Sequence, residues 1–180
     1  MKIATRENRQ AEQPPVVSRK AVSAPQVLSE AYHYRVPSSF SRGMRVDLPC
    51  VSIIYVSGTA SVDENGNTAH VGDFTAQVRR TFRNITELLK SEGATWHHVI
   101  RTTCYLRDIQ KTYEEFNGLR TEFYREQGLD PFPGSTGIEA RLCRDDLLVE
   151  IEVIAMLPNT THSCAYRGDG GSESEGEARR

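Results

Sequence analysis

PFPGSTGIEARLCRDDLLVEIEVIAMLP, residues Pro131 to Pro158, reads as two strands joined by a polar turn. Side chains alternate across a strand, so each segment has two distinct sides. In the first, Ile138, Ala140 and Leu142 share one side, and Ser135, Gly137, Glu139 and Arg141 the other. In the second, Val149, Ile151, Val153 and Ala155 form an apolar side. Leu148, Glu150, Glu152, Ile154 and Met156 form its opposite. The apolar sides need a cover. The charges Glu139, Arg141, Glu150 and Glu152, turned the same way, call for a pocket, a subunit interface or solvent.

The cover is upstream. Phe74, Val78, Phe82, Ile85, Leu88 and Leu89 recur at helical spacing, predicting a helix from Asp73 to Glu92, capped by Asp73 and stopped at Gly93. Phe116, Leu119 and Phe123 predict a second helix from Tyr113 to Gln127, opened by a Thr112/Glu115 capping box and ended at Gly128 before Pro131 and Pro133. Between them HHVIRTTCYLRD reads as a strand with Ile100, Cys104 and Leu106 on one side and Arg101, Thr103, Tyr105 and Arg107 on the other. Earlier, MRVDL and VSIIYVSG flank Pro49-Cys50 as a hairpin that ends at Ser57-Gly58, and EAYHYRV alternates as a first strand. The order strand–hairpin–helix–strand–helix–hairpin predicts an α+β domain, a mixed sheet with two helices packed on one face. The other face is too apolar for bare solvent and too charged for a monomer core. A cyclic oligomer that closes the sheets on one another satisfies both.

Composition narrows the function classes. Residues 28–158 make one domain, between an N-terminal arm over 1–27 and a Gly/Ser/Glu-rich tail over 159–180, both read as disordered or loosely docked. A net charge of -2 argues against a nucleic-acid surface. No apolar run nears the roughly 20 residues of a membrane span, and the first residues lack a secretory h-region, so a cytoplasmic protein is expected. Cys50, Cys104, Cys143 and Cys164 contain no CxxC pair, so reduced thiols and no metal site are expected. His97 and His98 are adjacent on a strand, point opposite ways and read as surface histidines.

Several pieces then fall into a familiar order: PSSFSRG, YVSGTA, GDFTAQVRRTFRNITELLKSEGAT, VIRTTCYLRD, FNGLRTEFY, FPGSTGIEARL and LLVEIEVIA, across about residues 36–157. In this order and spacing the chain resembles the Rid (reactive intermediate deaminase, YjgF-like) family. The resemblance implies a chorismate-mutase-like fold and a homotrimer, with the sheets forming an inner barrel and the pockets lying between subunits. It also implies cofactor-free hydrolysis of small enamines and imines to a keto acid and ammonia. In active members an Arg in the strand after the FP dipeptide binds the substrate carboxylate. A Glu at the start of the last strand and backbone groups near SG position water.

Carried over residue by residue, that Glu falls on Glu150, the Ser-Gly pair on Ser57 and Gly58, the first-loop aromatic on Phe40 and the helix-two Asn on Asn117. The Arg falls on Ser135, followed by Thr136 and Gly137. Serine offers no bidentate fork, so the usual 2-imino acids are not the expected substrate. Arg141 is the candidate substitute anchor, and Arg101, on the same face of the sheet, completes the expected binding set. Glu139 and Glu150 are the candidate acids or bases, Glu150 with a pKa raised by desolvation. The STGIEARL run also suits proton donation to an enol ether, as in the related chorismatases. The alternatives are a non-catalytic ligand-binding or regulatory trimer, and a purely structural role in which Glu139–Arg141 and Glu150–Arg101 pair at the interface.

Overall fold

The computed structural model describes residues 17–159. Residues 1–16 of the expected arm and 160–180 of the expected tail lie outside the described residues. The domain is a six-stranded mixed sheet in the order β1-β2-β3-β6-β4-β5, with β1 Ser18–Val22, β2 Gly43–Asp47, β3 Val51–Ala60, β4 Val99–Leu106, β5 Gly134–Glu139 and β6 Val149–Pro158. Only β4 and β5 run parallel. Helices α1, Phe74–Ser91, and α2, Ile109–Glu126, cover one face, the predicted α+β arrangement.

The buried stripe of α1 is the one the spacing predicts: Val78, Phe82, Ile85, Leu88 and Leu89 are each at most 2% exposed. Asp73 accepts from the Ala76 amide at 2.9 Å as its cap, and Gly93 and Gly128 end the two helices at positive φ. The stripe meets Ile54 and Val56 of β3 and Val149, Ile151, Val153 and Ala155 of β6. Each of these large side chains contributes about 1.5–3 kcal/mol by leaving water.

The structure corrects four expectations about the elements and their pairing. Ser18–Val22, inside the stretch read as an arm, is an edge strand antiparallel to β2. Its charged residues hide it in the sequence, yet Val22 is fully buried and Lys20 reaches Glu92 at 2.8 Å. EAYHYRV is not a strand but a short 3-10 turn, Ala31–His33, followed by loop, because β1 occupies the outer edge of β2. Helix α2 begins a turn earlier than the Thr112/Glu115 box suggests. Thr112 Oγ1 instead donates back to the Asp108 carbonyl at 2.6 Å.

The fourth correction concerns the two strands of 131–158, which do not pair with each other. β4 lies between them: Leu106 is opposite Glu139 on one side and Val149 on the other. Residues 140–148 cross over the end of β4. They are held by Ala140 N–H to the Leu106 carbonyl at 3.0 Å and Arg107 N–H to that of Leu148 at 3.0 Å. Buried Thr102, Cys104 and Leu106 make β4 a central strand, whereas every residue of β5 is exposed, as suits an edge. The parallel register puts Ser135, Gly137 and Glu139 opposite Thr102, Cys104 and Leu106, on the helix side, and Thr136 and Ile138 on the open side. That inverts the side assigned to them from parity. A register shift between Val99 and Arg101 likewise turns Ile100 outward, 50% exposed.

Cys104 and Cys143 are free, the first buried and the second exposed. Cys50 takes part in a disulfide, which corrects the expectation of reduced thiols at that position. Among the described residues no helix is long and apolar enough to cross a membrane.

Candidate functional site

The site is built around a bulge. The β3–β6 register shifts between Val56 and Thr59, so Ser57 and Gly58 leave the regular ladder, as β-bulges beside working sites commonly do. The Glu150 side chain fills the space this opens. A Cβ added at Gly58 would lie 2.0 Å from Glu150 Oε1, so only glycine permits this approach. Ser57 is tied to the preceding loop: its hydroxyl donates to the Ser41 carbonyl at 2.8 Å and its amide to the Arg42 carbonyl at 3.0 Å. That loop delivers Phe40. Gly58, Glu150 and Phe40 line one cavity of about 800 Å³ with Arg42, Arg144 and Tyr34, a size suited to a small organic ligand. A second hollow of about 740 Å³ adjoins it across Phe40 and Ser57 and reaches Glu152.

Burial pushes the Glu150 carboxyl above its ordinary pKa, and Glu152 adds to the rise while Arg42 opposes it. Arg42 is only 3% exposed. Its Nε donates to the Ser29 carbonyl at 2.8 Å, a second nitrogen donates to Tyr34 Oη, and the guanidinium sits 5.4 Å from the Phe40 ring centre. It therefore fixes the aromatic walls and sets a positive charge behind Glu150. Arg144, from the crossover, lies 4.7 Å over the Tyr34 ring and donates to the Gly66 carbonyl at 2.9 Å.

A second polar cluster lies across the sheet, on the helix side of β5. Arg120 of α2 donates to Ser135 Oγ at 2.7 Å and to Asn117 Oδ1 at 2.5 Å, with its guanidinium 5.2 Å from the Phe116 ring centre. Ser135 Oγ also accepts from Thr102 Oγ1 at 3.0 Å. A guanidinium thus stands over the serine where the family resemblance expects an arginine, but it comes from the helix.

Of the residues singled out in the sequence, Phe40, Ser57, Gly58 and Glu150 come together. Asn117 and Ser135 form the separate cluster. Arg101 donates to Thr136 Oγ1 at 3.1 Å on the open face, and Gly137 sits under the Tyr113 ring. Glu139 is not beside Glu150: its Oε2 accepts from the Ile109 amide at 3.1 Å, capping α2. Arg141 points into solvent, its side chain 87% exposed and 4.0 Å from Asp145, its one ion pair among the described residues. Within one chain, neither a Glu139–Arg141 nor a Glu150–Arg101 pair forms among the described residues. Arg42, Arg144 and Arg120 were missed. For Arg120 the signal was present, since it follows Asn117 by three residues on a helix and so shares its side.

The family model described as Endoribonuclease L-PSP matches residues 36–157. The chain is 32% identical over 104 residues to the 3-aminoacrylate deaminase RutC of Acinetobacter baylyi, covering 58% of this chain and 79% of that protein. The crystal structure of the YjgF gene product from E. coli superimposes with a TM-score of 0.61 at 23% identity, over 76% of this chain and 97% of that one. YyfA from Yersinia pestis, described as a member of the conserved Rid protein family, superimposes with a TM-score of 0.64 at 21% identity, over 78% and 100%.

Proposed function

The chain belongs to the Endoribonuclease L-PSP family, the YjgF/Rid group, and from that premise we propose that it is a cofactor-free hydrolase of small reactive enamines, imines or enol ethers. One observation carries the reading: the Glu150 carboxyl, its pKa raised by burial, is packed against the bulged backbone of Gly58 at the wall of a ligand-sized cavity. For an enamine, protonated Glu150 gives its proton to carbon, leaving an iminium and a carboxylate. The carboxylate then takes a proton from the attacking water, and the carbinolamine collapses to a carbonyl compound and ammonia. For an imine the balance is one water consumed and one ammonia released. One carboxyl with a raised pKa serves both transfers. The deaminase named among the relatives supports this reaction class. Glu139, which caps α2, takes a positioning role.

The proposal includes a homotrimer. The open sheet face carries Tyr55, Ile138 and Met156 at 45%, 40% and 37% exposure, beside Arg101 and Glu152, both exposed. Such a mixture suits an interface, and native mass spectrometry is expected to give the mass of three chains. A monomer mass would remove this part of the reading.

The activity is tested by ammonia release from an enamine generated in situ by a pyridoxal-phosphate dehydratase. The wild-type chain is expected to accelerate release, and Glu150→Gln to lower kcat by about 10²-fold, the scale of a lost general acid. Because the Glu150 pKa is raised, its acid form persists to higher pH than an ordinary carboxyl's, and the acid-dependent limb of kcat/KM should fall above the usual carboxylate range. Identical rates for wild type, Glu150→Gln and buffer sink the proposal. Ligand binding without turnover assigns the chain to the alternative, a ligand-binding trimer.

A further inference from the structure

We propose that Arg120, on α2, takes the place of the missing strand arginine as the substrate-carboxylate anchor, in the inter-subunit pocket that the family resemblance implies. The inference rests on the preceding reading, since it assigns the anionic end of the same substrate.

A guanidinium can only donate. Asn117 must therefore present its amide oxygen to Arg120, 2.5 Å away, which leaves its NH₂ facing outward. Ser135 Oγ accepts from Arg120 at 2.7 Å and from Thr102 at 3.0 Å. Both lone pairs are then engaged. Its proton is left for an incoming acceptor or for the weak acceptor Cys104 Sγ, 3.8 Å away. Arg120, Asn117 and Ser135 thus each keep a donor for an incoming acceptor.

The charge is uncompensated as well. Among the described residues no carboxylate lies within ion-pair distance of Arg120. Ordering a long arginine side chain costs rotamer entropy, and here it is ordered by two neutral oxygens and the Phe116 ring. What results is a half-buried, pre-oriented guanidinium with free N–H groups, flanked by an amide and a hydroxyl that also donate. A planar carboxylate matches such a fork with two parallel hydrogen bonds. The fork also differs from a strand arginine in its origin: it approaches from the helix, above Ser135, and so moves the anionic end of the ligand toward α2.

One chain cannot bring this anchor to Glu150. Ser135 pairs with Thr102 on the helix side of the sheet. Glu150, between the fully buried Val149 and Ile151, faces the opposite side. The acid and the anchor therefore serve one small substrate only when a second copy supplies one of them, and each half-site is incomplete alone.

The experiment has a binding arm and a complementation arm. Pyruvate serves as a stable carboxylate probe, with its neutral methyl ester as control and affinities read by isothermal titration calorimetry. Loss of one charge-assisted fork in Arg120→Met should weaken pyruvate binding by about 10- to 100-fold and leave the ester unchanged, with Arg120→Lys intermediate. Wild-type protein that binds no pyruvate, equal affinity in wild type and Arg120→Met, or selective binding of inorganic phosphate overturns the anchor. Glu150→Gln should keep pyruvate affinity while losing turnover. Failure of the catalytic reading, with Glu150→Gln fully active, is therefore distinct from failure of the anchor.

For the second arm, Arg120→Met and Glu150→Gln chains are coexpressed. If each site takes its acid from one copy and its anchor from the next, random trimers hold about one quarter wild-type sites and should regain about that share of turnover. No regain from two inactive parents overturns the assignment between copies.

Discussion

Replacing Gly58 by alanine is expected to lower kcat/KM on the order of 10²-fold, as much as losing the Glu150 acid itself, while leaving the unfolding midpoint nearly unchanged. The added Cβ would lie 2.0 Å from Glu150 Oε1 and 2.9 Å from Cδ, both inside any tolerable contact. What it strikes is the far end of a flexible side chain, so the carboxyl gives way and the backbone does not. The φ of Gly58 is not among the left-handed values found at Gly66, Gly72, Gly93 and Gly128, so alanine brings no backbone strain. The displaced carboxyl moves toward solvent and loses the desolvation that raises its pKa. The residual activity should therefore show an acid limb at lower pH than the wild type. Gly43→Ala is the contrasting control: its Cβ would meet the Tyr55 backbone oxygen at 2.7 Å, so it should damage the β2–β3 pairing rather than the chemistry. Gly58→Ala turnover within a few-fold of wild type would remove Glu150 from the reaction as drawn.

The same residues show how far this fold is legible without coordinates. Periodicity carried α1 to within a residue at each end, because its apolar stripe, Asp73 and Gly93 agree with one another. Parity carried β6, whose inner side chains are all buried. Both are local signals, set by residues close in sequence. The pairing of β5 is not local. GSTGIE has no side that demands burial, so nothing in it reports that β4, nearly thirty residues earlier, takes the place beside β6. Once β4 is inserted, the crossover reverses which side of β5 faces the helices, and Glu139 lies across the sheet from Glu150, where it caps α2. β1 escaped notice for a related reason. An edge strand keeps its charges outward to discourage further pairing, and Ser18, Arg19 and Lys20 gave it the look of an arm.

The candidate site divides along the same line. Glu150, Ser57, Gly58 and Phe40 were readable because they sit in ordered motifs. The arginines were not, because their meaning depends on what their guanidinium groups touch. Arg42 in PSSFSRG could have been a surface charge, but the structure buries it against Tyr34 and Phe40. Arg141 shows the converse, an attractive candidate by spacing that the crossover turns into solvent.

Trp96→Ala is expected to cost about 3–5 kcal/mol of stability, the upper range for a large-to-small core substitution. Trp96 is 2% exposed. Its ring meets Phe82 and Phe123 edge-on at 5.7 and 5.1 Å, and those two stack on each other at 4.4 Å. Its Nε1–H donates to Thr86 Oγ1 at 2.8 Å, which in turn donates to the Phe82 carbonyl at 2.8 Å. Truncation removes the indole from this cluster, leaves a void and deprives Thr86 of its donor. Urea unfolding at fixed protein concentration, read as a fall in midpoint with an unchanged slope, measures the loss. Trp96→Phe keeps most of the packing and should lose less. The consequence reaches function unevenly. Phe123 and Tyr124 hold α2 on the cluster, and Arg120 lies one turn earlier on that helix. The Gly58–Glu150 bulge rests on β3 and β6 instead. In conditions where Trp96→Ala remains folded, pyruvate affinity should therefore fall while the pH of the acid limb stays where it was. A variant that shifts the acid limb and spares pyruvate binding would contradict the division of labour between the two faces of the sheet.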